Sequence, residues 1–282
     1  MKKKIFITST AAVIFLLLSV VISNFTLDVN KYSVDIDGDS DIKIIYISDL
    51  HNNEFGKNNS RLISKITGLS PDIICLGGDF IDEDNDADDN KQLINFITAL
   101  TSVADVYYCY GNHDLNYFKA VGYDILSEIE NTGCTILEEN YTDITINGTE
   151  LRIGGLFDYA FNQKYIPDDE WILSDTYKFL SDFTDTDSST VLLAHRPDSF
   201  IYGNAAYLWD IDFVLSGHTH GGLWRLPFVG GIIAPEQGLF PKYDKGEFDL
   251  GNIKMIISSG LNGYENIPRL FNSPEITVID LY

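Results

Sequence analysis

All five histidines of this 282-residue chain, His51, His113, His195, His218 and His220, fall inside short polar clusters. The clusters are Asp49-Leu50-His51, Gly77-Gly78-Asp79, Gly111-Asn112-His113-Asp114, the lone His195, and Gly217-His218-Thr219-His220. A single histidine is more often an ordinary core or surface residue. With every histidine of the chain beside strand ends, aspartates and glycines, one shared site becomes the simpler reading. Asp49 with His51, and His218 with His220, place two donors at i and i+2, which a strand end can aim to one side as a chelate. Carboxylate mixed with imidazole suits Mn, Fe or Zn, whereas a Mg or Ca site is built mainly of oxygen. The glycines permit close backbone approach and unusual φ/ψ at the turns.

Each cluster closes a short apolar run: 42–48 (IKIIYIS), 72–78 (DIICLGG), 105–111 (DVYYCYG), 190–195 (TVLLAH) and 212–218 (DFVLSGH). Runs this short and rich in Ile, Val and Tyr read as strands buried on both faces. Helical patterns at 60–69, 91–100 and 118–130 lie between the first strands, so the rhythm is βαβ with a largely parallel sheet. Asn147-Gly148 within 143–156 signals a hairpin, and further strands follow near the C-terminus. Two packed sheets flanked by helices are expected, with the polar clusters at the C-terminal strand ends, where ligand sites of such sheets gather.

The composition is that of a globular enzyme, with 45% hydrophobic and 22% charged residues. A net charge of -23 argues against nucleic acid or an anionic surface bound by general electrostatics, so no nucleic acid is expected as a partner. The acidic run Asp82–Asp89 reads as a flexible loop rather than a calcium loop, since it lacks the central glycine. Cys75, Cys109 and Cys134 form no CxxC, and Cys75 and Cys109 sit in apolar runs as small core residues.

Lys2, Lys3 and Lys4 precede the uncharged stretch Ile5–Asn24, long enough to cross a bilayer as a helix of about 20 residues. The lysines hold the cytoplasmic side, which leaves the rest outside as a single-pass protein. The rival is a signal peptide cut after Ser23, giving a secreted chain. The domain reading is therefore 1–24 anchor or signal, 25–41 stalk and 42–282 catalytic domain.

The ordered series DLH, GGD, GNHD, a lone His and GHTH resembles the calcineurin-like metallophosphoesterases over about residues 42–281. The longer run from Ser216 to Tyr243 is similar to a membrane-associated bacterial branch that includes hydrolases of UDP-diacylglucosamine and other phosphodiesters. That resemblance implies a four-layer α/β/β/α sandwich of two mixed sheets and a pair of divalent cations. It implies Asp49, His51 and His220 on the first cation, Asp79 as bridge, and Asn112, His195 and His218 on the second. It further implies that His113 faces the phosphate as charge stabiliser or general acid, with Asp114 hydrogen-bonded to it. Two cations can ionise a bound water near neutral pH and clamp the phosphate oxygens.

One departure concerns substrate contacts. Many members carry an arginine in a GDxxDR run, whereas here Asp79 is followed by Asp82 and Glu83. Arg196 and Arg225 are candidate phosphate contacts in its place, or structural ion pairs. Trp224, Leu226 and Phe228 read as core packing, with an apolar wall for a lipid or nucleoside as the alternative. The expected function is hydrolysis of phosphoesters, with phosphodiesters or pyrophosphates preferred and lipid-linked or nucleotide-linked substrates in view. The rival is a non-catalytic metal-binding module at the cell envelope, which the full ligand set argues against. A closed structural zinc site fits less well, since those favour cysteine.

Overall fold

The computed structural model describes residues 2–36, 41–82, 87–156, 174–202, 205–263 and 267–282; for residues 2–13, 87–89 and 205 it describes the backbone alone. The acidic run and the turn at 35–41 therefore lie largely outside the described residues.

The apolar runs fold as the strands expected of them. The first sheet has the order β1-β16-β2-β3-β4-β5. Its strands are β1 (Asp28–Val34), β2 (Ile42–Ile47), β3 (Ile73–Leu76), β4 (Asp105–Tyr108), β5 (Thr135–Ile136) and β16 (Glu275–Leu281). β2 to β5 run parallel, while β16 is antiparallel to β2 and parallel to β1. The second sheet has the order β14-β15-β9-β8-β7-β6. It comprises β6 (Asn140–Ile146), β7 (Thr149–Leu156), β8 (Ser189–Ala194), β9 (Phe213–Ser216), β14 (Gly246–Leu250) and β15 (Ile253–Ile257). Asn147 and Gly148 join β6 to β7 with φ of 53° and 91°, the left-handed pair that a tight hairpin demands.

The alternation of side chains separates the layers. In β2, Ile42, Ile44 and Tyr46 face the second sheet, where they meet Ile153, Val191 and Phe213. Ile45 and Ile47 point the other way, under α2 (Ser60–Leu69) and α3 (Ala87–Thr101). Leu192 and Val214 of the second sheet turn outward onto Phe179 and Phe183 of α6 (Asp175–Thr184). Helices, two mixed sheets and helices thus stack as four layers. Cys75, Cys109 and Cys134 are free and buried in them.

Three segments differ from expectation. The pattern at 118–130 is two helices, α4 (Asn112–Val121) and α5 (Asp124–Glu130), parted at Gly122, whose φ is 105°. The stalk segment contains β1, an edge strand in seven-residue register with β16. Trp224, Leu226 and Phe228 are exposed rather than core. Leu226 and Phe228 lie on, and Trp224 just before, the first of two small hairpins that follow β9, made of β10 (Arg225–Leu226) with β11 (Gly230–Gly231) and β12 (Ile233–Ala234) with β13 (Gly238–Leu239). Two one-turn helices, α7 (Asp198–Ile201) and α8 (Ala205–Leu208), cover the second sheet.

The N-terminal helix α1 (Lys2–Phe25) ends against the domain. Among the described residues no helix is long and apolar enough to cross a membrane, and the side chains of 2–13 are not among those described.

Candidate metal centre

The five clusters close five strands that end at one common edge. Asp49 and His51 follow β2, Asp79 follows β3, and Asn112 and His113 begin α4 directly after β4. From the second sheet, His195 follows β8 and His218 and His220 follow β9. Asp49, His51, Asp79, His218 and His220 all have positive φ, between 46° and 66°. Such a conformation costs on the order of 1–3 kcal/mol for each non-glycine residue. Its concentration on five side chains that point into one place marks the edge as a site.

Glycine makes the approach possible. A Cβ on Gly111 would collide with the Asp79 carboxylate and the His195 ring, and one on Gly78, at φ 93°, with the Gly111 backbone.

The donor atoms form two triplets, Asp49–His51–His220 and Asp79–His195–His218, each with its atoms within 4.8 Å of one another. Asp79 Oδ2 lies 3.0 Å from His195 Nε2 and 3.9 Å from His51 Nε2, so one carboxylate oxygen faces both triplets. The far ring nitrogens are occupied, which fixes the near ones. His195 Nδ1 donates to the Gly77 carbonyl (2.7 Å) and His220 Nδ1 to that of Asn262 (3.1 Å). His51 Nδ1 meets Asp82 Oδ1 at 2.6 Å, and His218 Nε2 meets Glu236 Oε2 at 2.8 Å. This is the outer support that metal-ligating imidazoles use to set tautomer and orientation.

The inward-facing Nε2 atom of His51 is buried without a hydrogen bond, and that of His195 is buried against the Asp79 carboxylate. Two fully buried carboxylates, Asp49 and Asp79, sit beside them. Burial opposes ionisation of Asp79, but the charge of His195 outweighs it and holds the carboxyl well below the usual range. Asp49 is lowered in the same way, burial being outweighed by His220 and His195. Burial also works against a proton on His195, yet the Asp79 charge raises it. On His220 burial wins and pushes the ring down to about 3, leaving a neutral donor. Inward imidazole nitrogens converging on buried carboxylates are what divalent cations with mixed N/O preference require, so the residues fit such ions.

Asn112 and His113 line the same cavity of about 440 Å³ with Asp79, Arg196, His218 and His220. His113 is partly exposed, unlike the other four imidazoles, and its Nδ1 lies 3.4 Å from Asp82. It also lies with His51 and Asp79 inside a 4.8 Å group. The expected Asp114–His113 bond is absent. Asp114 Oδ2 instead accepts from the amides of Asp79 (2.7 Å) and Gly111 (2.9 Å), and Oδ1 from Phe80 (2.9 Å) and Ile81 (3.1 Å). Four amides leave its carboxylate no lone pair to spare for the ring.

The two arginines part company. Arg196 lines the cavity, with Nε donating to Asn112 Oδ1 at 3.3 Å and Nη1 to Glu236 at 3.2 Å. Arg225 donates to Asp244 and to the Gly221 carbonyl, both at 2.8 Å, and does not line the cavity. Asp82 and Glu236 were not anticipated. Asp82 was hidden in the acidic run, though it is the third residue after Asp79. Glu236 stands alone in a turn, where nothing in the sequence ties it to His218.

A model of the calcineurin-like phosphoesterase family matches residues 42–222. The chain is 30% identical over 255 residues to the uncharacterized metallophosphoesterase YkuE of Bacillus subtilis, covering 89% of this chain and 82% of that protein. It is 27% identical over 249 residues to the phosphodiesterase YaeI of Escherichia coli, covering 87% and 84%. It is 29% identical over 289 residues to the UDP-2,3-diacylglucosamine pyrophosphatase LpxG of Chlamydia muridarum, covering 84% and 83%.

Proposed function

The chain belongs to the calcineurin-like phosphoesterase family and is a phosphoester hydrolase; from that premise we propose that it cleaves phosphodiesters or pyrophosphates with two divalent cations. Asp49, His51 and His220 would hold one, Asn112, His195 and His218 the other, and Asp79 would be shared between them. The observation that carries the reading is the single Asp79 oxygen facing an inward ring nitrogen from each triplet. Mn, Fe or Zn suits these donors. When bound, such a pair lowers the pKa of the attacking water and neutralises phosphate oxygens.

The remaining work falls to side chains. His113 faces the cavity on its polar side and stabilises charge on the leaving oxygen or gives it a proton. Arg196 reaches the same space and steadies a phosphate oxygen. Leu223, Ile233, Ala234, Pro235 and Ile267 give the cavity an apolar part, which suits a phosphate carried on a lipid. The similarity to LpxG, named for a diacylated nucleotide sugar, supports the same substrate class. Elemental analysis of protein made with Mn present should find two cations per chain, and Asp79→Asn should lower both. A fully active protein with one cation sinks the two-cation reading.

The chain is held at a membrane by α1 with the catalytic domain outside the cytoplasm. The support is the uncharged stretch Ile5–Asn24 behind three lysines, and the exposure of Phe15, Leu17 and Ile22 on the described part of the helix. A C-terminal reporter should be active only as an exported type; full-length protein recovered soluble from the cytoplasm refutes the placement.

A further inference from the structure

The second small hairpin lines the cavity through Ile233, Ala234, Pro235 and Glu236, and the first precedes it directly. They share Ile232, whose amide donates to the Trp224 carbonyl and whose carbonyl accepts from Phe240 N, both at 2.8 Å. Hairpin turns ordinarily use Asn, Gly or Asp. The β10–β11 turn is Pro227-Phe228-Val229 instead. Phe228 is fully exposed at φ 68°, and Phe240, at φ 56°, is 63% exposed. Two bulky aromatics are thus held outward on backbone that disfavours them, with water as their neighbour. Leu226 and Leu239 are exposed beside them.

This apolar surface continues in both directions. Inward, Ile233 and Ile267 are exposed and also line the cavity. Outward, Trp224 pairs with Leu270 and donates its Nε1 to the Pro268 carbonyl at 2.9 Å. That loop receives the end of α1: the Asn24 side chain exchanges hydrogen bonds with the Arg269 backbone, both at 3.0 Å, and Phe15 packs on Phe271. An apolar band therefore runs from α1, past Trp224, over the hairpin tips and into the cavity. Bands of this kind on soluble surfaces mark interaction sites. Across 223–240 the charged residues are Arg225, which Asp244 neutralises, and Glu236, which pairs with His218 and Arg196, although the chain as a whole carries -23. The one carboxylate of the two hairpins, Glu236, is thus held in ion pairs at the cavity.

We propose that the hairpins 225–231 and 233–239 rest in the acyl–headgroup boundary of the bilayer that takes α1, so that the cavity opens on the membrane and draws amphiphilic phosphoesters from it. Continuity with α1 selects a lipid surface over a second copy of the chain. The substrate part rests on the phosphoester reading above, and the docking part on the α1 anchor reading.

The full chain, reconstituted in phosphatidylcholine–phosphatidylglycerol vesicles, tests both. The three native cysteines are buried, so Phe228→Cys supplies a single exposed thiol for an environment-sensitive nitrobenzoxadiazole label. Its emission should shift to the blue and be quenched by doxyl-labelled lipid, whereas a label at Lys178→Cys on α6 should stay water-like. A water-like label at 228 in chain that sediments with vesicles overturns docking while leaving the anchor intact. Shielding that appears without vesicles, in step with self-association, overturns it in favour of a second copy.

The double variant Phe228→Asp/Leu239→Asp should cleave soluble bis(p-nitrophenyl) phosphate as the parent does. It should lose about tenfold or more on CDP-diacylglycerol in vesicles, as an interfacial apolar contact is lost. Equal losses on both substrates, or none on either, overturn the proposal. Parent chain that cleaves the soluble diester and spares the vesicle substrate overturns the substrate class. Parent chain that cleaves neither refutes the phosphoester reading, and the label then decides docking by itself.

Discussion

His113 and Asp114 are neighbours in sequence with separate work. His113 is the imidazole most open to the cavity, and its amide already donates to Asp79 Oδ1 at 2.8 Å. His113→Ala should keep both cations and the fold while kcat falls about 10²–10⁴, the usual share of a positioned acid or charge stabiliser. The loss should shrink for p-nitrophenyl esters, whose leaving group needs no proton. Loss of a cation would make His113 a ligand instead, a role its place beside His51 and Asp79 makes testable. Asp114 does its work through the backbone. Burial and then the Asp79 charge push it up to about 6, so it is mostly ionised at neutral pH and able to accept four amides. Asp114→Asn would turn an NH₂ toward two of them. Urea unfolding of the cation-free protein should show a loss of about 1–3 kcal/mol. Unchanged stability would remove the anchoring role.

The elements that carry the site end in turns shaped by glycine, and that is where substitution should tell most. Gly78→Ala would force a Cβ onto the Gly111 backbone at a φ that L-residues avoid. Cation content should collapse, with the far-UV circular dichroism of the sheets largely kept; normal cation content would show that the turn yields. The strands ending here were legible in the sequence because each is a compact apolar run, buried on both faces. Their polar ends were legible because every histidine lies at one. β1 was missed because DVNKYSV, on an edge, has few residues that must hide. The break between α4 and α5 was missed because the apolar period runs on through Gly122. β10 to β13 had no period to read, being two-residue strands in a run rich in glycine and proline.

Across the whole molecule, the N-terminal helix and the site share one loop. Ser23 Oγ accepts from the Asn272 amide at 3.2 Å, and the Asn272 side chain donates to the carbonyls of His220 (2.7 Å) and Leu223 (3.2 Å). Removing residues 1–24 should therefore weaken cation binding as well as membrane attachment. About fivefold is expected by titration calorimetry against full-length protein in detergent, the equivalent of ~1 kcal/mol. Identical affinities would show that the loop stands without the helix. The place of β16 between β1 and β2 bears on how the chain is made. The strand that joins them is synthesised after every strand of the second sheet. At about 5–20 residues per second, the gap stays open while the entire second sheet emerges. Through that interval β1 and β2 present free edges to any extended chain nearby. A nascent or C-terminally shortened chain is thus the dangerous form of this protein, more prone to aggregate than the finished one is to unfold.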